Sequence, residues 1–327
     1  MYNLHFYGQM LADAPRMEAY AAALRHTIKP DSVVMDLGCG PGVLALLACK
    51  LGARRVYGVE PENAISLARE AAAANHCADR IEFFENLSTE ITLPEPATII
   101  VSDLRGVLPW FQQHIPSIID ARKRLLARGG VLIPRRDILW AAIVEAPDQY
   151  EGIVGPWQSD KFDLDLSAGA RLVTNTWRKT YLEPGQFLAR PIRWATIDYH
   201  EVDSPDIRAE ISWRAARNGT AHGIAIWFDS ELVDDIGFSN HPAAPKMIYG
   251  VGLFPFLKPV EIVEGERIEL RLAARFVQND YVWRWDTDFF HCNDETRVKA
   301  SFKQSTFYGV PISPERLRQS AQEKPAQ

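Results

Sequence analysis

The chain has 327 residues, 47% of them hydrophobic and 24% charged, enough for about two domain cores and incompatible with wholesale disorder. Its 36 basic and 42 acidic residues leave a net charge of −6 without a Lys and Arg cluster, which argues against a dedicated nucleic-acid binder. No apolar run approaches the roughly 20 residues of a membrane helix, and the opening residues lack the basic head and apolar stretch of a signal peptide. The cysteines, Cys39, Cys49, Cys77 and Cys292, form neither a CxxC pair nor a metal knuckle. A metal-free, membrane-free protein of the reducing cytoplasm is therefore expected.

In chain order, Met17 to Thr27 reads as a helix, Ser32 to Asp36 as a buried strand and Val43 to Leu51 as a helix. Arg55 to Glu60 is a second strand, Ala64 to Ala74 an Ala-rich helix, Ile81 to Phe84 a third strand, Thr98 to Ser102 a fourth, and Ser117 to Ala127 another helix. Such alternation predicts crossover units and a parallel sheet covered on both faces, a Rossmann-like α/β domain over residues 1–145. After residue 180 the period becomes two, at Trp194 to Tyr199, Arg208 to Trp213, Gly223 to Trp227 and Ile268 to Phe276. An antiparallel β sandwich or barrel over 146–312 is expected, with a polar tail at 313–327. Between the two patterns, Tyr150 to Trp177 has no clear period and reads as a linker or an insertion with its own role.

The sharpest local signal is VVMDLGCGPG, residues 33–42. A short apolar strand ends in Asp36, and Gly38, Gly40 and Gly42 let the backbone turn tightly and approach a ligand. Eighteen residues after Gly42, Glu60 ends the second strand in VYGVE, where a carboxylate can accept hydrogen bonds from two ribose hydroxyls. Nicotinamide and S-adenosylmethionine (SAM) sites share this logic. The dinucleotide fingerprint GxGxxG places a pyrophosphate on a helix N-terminus. Here the spacing is GxGxG with an acid two residues earlier, which resembles motif I of class I SAM-dependent methyltransferases. An acid beside the loop suits the amine and sulfonium of SAM.

Further segments resemble the protein arginine methyltransferase family. MLADAPR (10–16) resembles its MLxDxxR segment, DLGCGPGVLALLACKLGARRVYGVE its motif I and post-I region, ITLPEPATIIVSD its approach to strand four and LARGGVLIPRRDILWAAIVE its exit from the SAM domain. WFDSELVDDIGFSNHPAAP (227–245) is similar to the barrel region before the family's THW loop. The resemblance implies a SAM domain followed by a β barrel, with a dimerisation arm at about 155–175 carrying Trp157, Phe162, Leu164 and Leu166, and a homodimer. It also implies that Arg16 pairs with the methionyl carboxylate of SAM, that Asp36, Gly38, Gly40 and Gly42 line its amino-acid end, that Glu60 holds the ribose, and that Leu87 and Ser88 lie at the adenine edge.

The acceptor side departs from the family. Its pattern SExxGxxxxxE supplies two glutamates that grip the substrate guanidinium, whereas residues 102–112 read SDLRGVLPWFQ. Asp103 replaces the first glutamate, Gln112 the second, and Arg105 adds a positive charge expected to repel a guanidinium. At the THW positions stand Met247, Ile248 and Tyr249. Asp103 is the candidate acceptor-facing acid or base. The expectation is a SAM-dependent methyltransferase with an altered acceptor pocket and an unknown small-molecule or protein acceptor. The alternatives are a true arginine N-methyltransferase and an inactive SAM-binding regulatory subunit. His114 and His241 read as exposed histidines rather than general bases. Trp283 and Trp285 share one strand face and read as barrel packing rather than a cation cage.

Overall fold

The computed structural model describes residues 4–158, 163–292 and 294–309; Phe162 and the 313–327 tail lie outside them. Two helices, α1 (Leu4–Ala12) and α2 (Ala14–Thr27), precede a five-stranded parallel sheet. Its strands are β1 (Val33–Leu37), β2 (Arg55–Val59), β3 (Ile81–Phe84), β4 (Ala97–Ser102) and β5 (Leu126–Ile133), in the order β3-β2-β1-β4-β5. All five residues of the central β1 are buried, as a strand covered on both faces requires. From β1 the chain runs outward through β2 and β3, then returns to the other side of β1 as β4. The strand order therefore reverses between the carboxyl ends of β1 and β4, where open α/β sheets bind ligands.

The crossover helices include α3 (Val43–Lys50), α4 (Ala64–Ala74) and α5 (His114–Arg124). Helix α2 buries Arg16, Ala19, Tyr20, Ala23 and Leu24, one stripe at helical spacing. Asp13 caps it by accepting Arg16 N–H at 3.4 Å, and Pro15 in its first turn replaces an N–H that would have no helical partner.

The chain changes sheet at residues 134–135, not at 145. The strand β6 (Arg136–Val144) is apolar enough to end the parallel domain, but it pairs antiparallel with β10 (Gly219–Val233) and β8 (Ile192–Asp198). With β12 (Val251–Ile262), β7 (Arg178–Thr180) and β11 (Ile236–Ser239), which pairs with β10, these strands form a six-stranded sheet. A second antiparallel sheet orders β15 (Asp294–Ser305), β14 (Asp280–His291), β13 (Arg267–Val277) and β9 (Ile207–Arg214). Trp283 and Trp285 are buried on one face of β14, as packing residues.

One hydrophobic core runs from Met35 and Ile100 of the parallel sheet to Phe254 and Trp283 of the antiparallel ones. Trp110, in the loop after β4, anchors that loop in the β domain by stacking on Trp194 (5.3 Å between centroids) and meeting Trp283 edge-on (5.9 Å). The aperiodic stretch after β6 forms α6 (Pro147–Gln158) and α7 (Ser167–Val173), which pack on each other. Trp157, Leu164 and Leu166 are exposed there. Among the described residues, no helix is long and apolar enough to cross a membrane.

Candidate active site

At the switch point lies a recess whose lining includes Tyr7, Arg16, Asp36, Gly40 and Asp103. Its floor is backbone. Gly38, Gly40 and Gly42 have φ of +75°, +51° and +80°, a region that L side chains avoid. A Cβ at Gly40 would meet the Tyr7 ring at 2.7 Å, so the loop and α1 approach as closely as they do only because residue 40 is glycine. Glu60 Oε2 accepts Gly40 N–H and its Oε1 accepts Glu62 N–H, both at 2.9 Å. These bonds hold the carboxylate against the loop, and each oxygen retains a lone pair for a hydroxyl. Burial pushes the Glu60 carboxyl up, opposed by those two N–H groups.

Asp36 lies under the loop, accepting Ala45 N–H from the first turn of α3 at 2.9 Å. Burial raises its carboxyl to about 7. A buried acid that titrates near neutrality is suited to an ammonium. These features fit SAM: a glycine cradle that a side chain would fill, an acid at the end of β2 and an acid facing the recess. Leu87 and Ser88 do not line the recess. Leu87 is exposed, and buried Ser88 turns its carbonyl to Arg124 at 2.8 Å.

The Asp103 end of the recess is built of side chains from distant parts of the chain. Arg16 Nε donates to Asp103 Oδ2 at 2.5 Å, and Tyr249 Oη donates to both oxygens of Asp103 at 2.9 and 2.7 Å. Asp13, besides capping α2, accepts Ile248 N–H at 2.7 Å, so it fixes the loop bearing Tyr249 to the helix bearing Arg16. Burial pushes the Asp103 carboxyl up, but Arg16 and Arg105 beside it, with the Tyr249 hydroxyl, prevail and hold it below the ordinary range. Asp103 is therefore an ionised hydrogen-bond acceptor rather than a strong base.

Arg105 does not project as an open charge. Its guanidinium is fully enclosed, with Nε 3.3 Å from Asp103 Oδ1 and Nη1 2.6 Å from Asp137 Oδ1. Nη1 also donates to Ser230 at 2.6 Å and Nη2 to the Tyr20 hydroxyl at 2.7 Å. The rings of Phe228 and Phe238 flank it at 5.3 and 5.5 Å. Gln112 does not reach Asp103's surroundings: it is exposed, with φ +43°, and does not line the recess.

His114 corrects another expectation. It is buried because the first turn of α5 faces the β domain, and its Nε2 meets the Tyr199 hydroxyl at 2.9 Å. Burial, aided by Arg105, lowers it to about 3, so the ring stays neutral and is remote from acid–base work in the recess. His241 is half-buried, edge-on to Phe187 and Trp227. The residues that the motifs did not single out are Tyr20, Asp137, Tyr199 and Ser230. Tyr20 carried a signal, lying four residues after Arg16 on the same helical face. Asp137 carried a weaker one, as an acid directly before the apolar run 138–144 of β6.

A parallel sheet with a glycine loop after β1, an acid ending β2 and a fused antiparallel β domain defines the class of two-domain, Rossmann-like methyltransferases. Comparison with known proteins agrees. Residues 19–140 match the family model described as ribosomal protein L11 methyltransferase (PrmA), and residues 135–291 match that of the arginine methyltransferase oligomerization subdomain. Both matches are to methyltransferases that use SAM as methyl donor, and over its second half the chain is similar to protein arginine methyltransferases.

Among its relatives, protein arginine N-methyltransferase 1 of Dictyostelium discoideum is 25% identical over 304 residues, 90% of this chain and 89% of the relative. A probable protein arginine N-methyltransferase 6 of Arabidopsis thaliana is 27% identical, covering 68% of this chain and 53% of the relative. The chain thus spans 53% to 61% of the length of these plant proteins and their Oryza sativa counterparts. In fold it is similar to the Trypanosoma brucei PRMT1 enzyme-prozyme complex with AdoHcy (TM-score 0.81, 21% identity, covering 93% of this chain and 98% of that one). Arabidopsis thaliana protein arginine methyltransferase 10 is comparable (TM-score 0.80, 21% identity, 93% and 97%).

Proposed function

We propose that this chain transfers the methyl group of SAM to an acceptor presented at Asp103, in a pocket altered from that of a standard arginine methyltransferase. The observation that supports the reading is the recess joining the glycine loop, Asp36 and Arg16 to Asp103 at the switch point of the sheet. When bound, SAM supplies a methyl carbon on a sulfonium; the acceptor's lone pair bonds that carbon while the C–S electron pair returns to sulfur, leaving S-adenosylhomocysteine.

The chain's own groups bind and align. Glu60 accepts hydrogen bonds from the ribose, Asp36 pairs with the ammonium and Arg16, lining the recess beside Asp103, faces the carboxylate. Tyr7 and the glycine loop exclude water from the reacting atoms. Asp103 orients the acceptor by accepting a hydrogen bond. Leu87 and Ser88 stand near the adenine edge only by family analogy. The exposed apolar residues of α6 and α7 are the surface we assign to a homodimer.

The test is calorimetry with S-adenosylhomocysteine, followed by incubation of the protein and methyl-labelled SAM with a lysate separated by size. Binding together with label on a discrete acceptor is expected. Tight binding with no labelled acceptor in either size fraction would instead favour an inactive SAM-binding subunit. Asp103→Asn should abolish labelling while changing cofactor affinity by no more than about threefold, and full activity in that variant would remove Asp103 from the site.

A further inference from the structure

Asp103 has buried cationic partners before any ligand arrives. Two carboxylates, Asp103 and Asp137, face two guanidinium groups, Arg16 and Arg105, and all four side chains are at most 7% exposed. Asp103 is contacted on both sides: Arg16 and Tyr249 bond Oδ2, while Tyr249 and Arg105 lie against Oδ1. Arg105 cannot withdraw readily. Asp137 and Ser230 hold Nη1, Tyr20 holds Nη2 and two aromatic rings close over it. Asp137 is itself fixed by the Tyr199 hydroxyl at 2.6 Å.

A cation that approached Asp103 would meet a carboxylate already matched by two positive groups, with Gln112 contributing no second anion. A neutral group meets no such penalty, since an ionised carboxylate between two arginines still accepts hydrogen bonds.

We propose that Arg105 is a built-in counter-cation that reserves Asp103, so that the acceptor site takes an uncharged nucleophile and rejects guanidinium and ammonium groups. The inference rests on the methyltransferase reading above and adds the class of acceptor. In the transfer the neutral acceptor atom forms its bond to the methyl carbon, sulfur keeps the electron pair of the broken C–S bond, and the methylated acceptor gives up its extra proton to bulk solvent once it leaves the site. Arg105 acts through Asp103 and is therefore a specificity-determining residue rather than a catalytic one.

The experiment titrates ethylguanidinium into the full chain saturated with S-adenosylhomocysteine. Wild type and Arg105→Lys, which keeps the charge, should bind no ethylguanidinium. The charge-balanced variant Arg105→Met/Asp137→Asn should bind it at least about tenfold more tightly than wild type. A purely structural role for Arg105 would not produce this gain.

Should that variant fail to fold, Arg105→Gln, which keeps a hydrogen-bond donor toward Asp137 while losing the charge, is expected to show the same gain. Ethylguanidinium binding by wild type, methylation of an arginine peptide by wild type, or no gain in a folded variant that retains S-adenosylhomocysteine would each overturn the proposal. Absence of S-adenosylhomocysteine binding by wild type would overturn the reading on which it rests, a separate and recognisable outcome.

Discussion

The glycine loop with its two acids and the charged cluster around Asp103 lie next to each other, yet they are made of different material. Backbone shapes the first: three glycines with positive φ, N–H groups aimed at Glu60, and a helix start that supplies Ala45 N–H to Asp36. Side chains form the second, drawn from residues 16, 20, 103, 105, 137, 230 and 249 and paired with one another. A backbone site tolerates drift in the surrounding sequence. A site of matched charges changes specificity with one substitution, because every buried charge constrains the others.

The largest effect that separates the two should come from Arg105→Ala, which strands Asp137 among buried groups and should cost about 3 to 5 kcal/mol of stability in urea unfolding. A loss under about 1 kcal/mol would mean that the network relaxes as a surface pair would, and the contrast between the two regions would fail. Gly40→Arg should act on the other region alone. It should reduce S-adenosylhomocysteine affinity by at least about 100-fold, while the melting temperature stays within about 5 °C of wild type. Unchanged affinity would remove the glycine loop from the site.

Glu60→Ala should weaken the same ligand by about 1 to 3 kcal/mol through loss of a charged acceptor of hydroxyl hydrogen bonds. The smallest effect concerns pH. With the Asp36 carboxyl near 7, the free protein is largely protonated there at pH 6 and ionised at pH 8. An ammonium ligand favours the ionised form, so its binding releases a proton and affinity should rise about three- to tenfold across that window. Asp36→Asn should flatten the profile. A flat profile in wild type would place the ligand's ammonium elsewhere.

The sequence by itself determined what local chemistry dictates. The parallel alternation, the glycine turn after an apolar strand, Asp36 and Glu60 at strand ends and the later period of two are short-range patterns, and each has its counterpart in the structure at nearly the same residues. The choice of sheet for residues 136–144 was not legible, because an apolar strand fits either sheet and its pairing with residues 223–231 settles the matter. Nor was the state of Arg105 legible. Beside Asp103 in the sequence it looks like an open positive charge, and only the fold brings Asp137, Ser230 and Tyr20 around it. His114 failed likewise, since a polar residue at a helix start gives no sign that the start is buried against Tyr199. A glycine's backbone freedom belongs to the residue itself, whereas the charge state and reach of a side chain depend on partners up to 233 residues away, as for Arg16 and Tyr249, which only tertiary packing brings together.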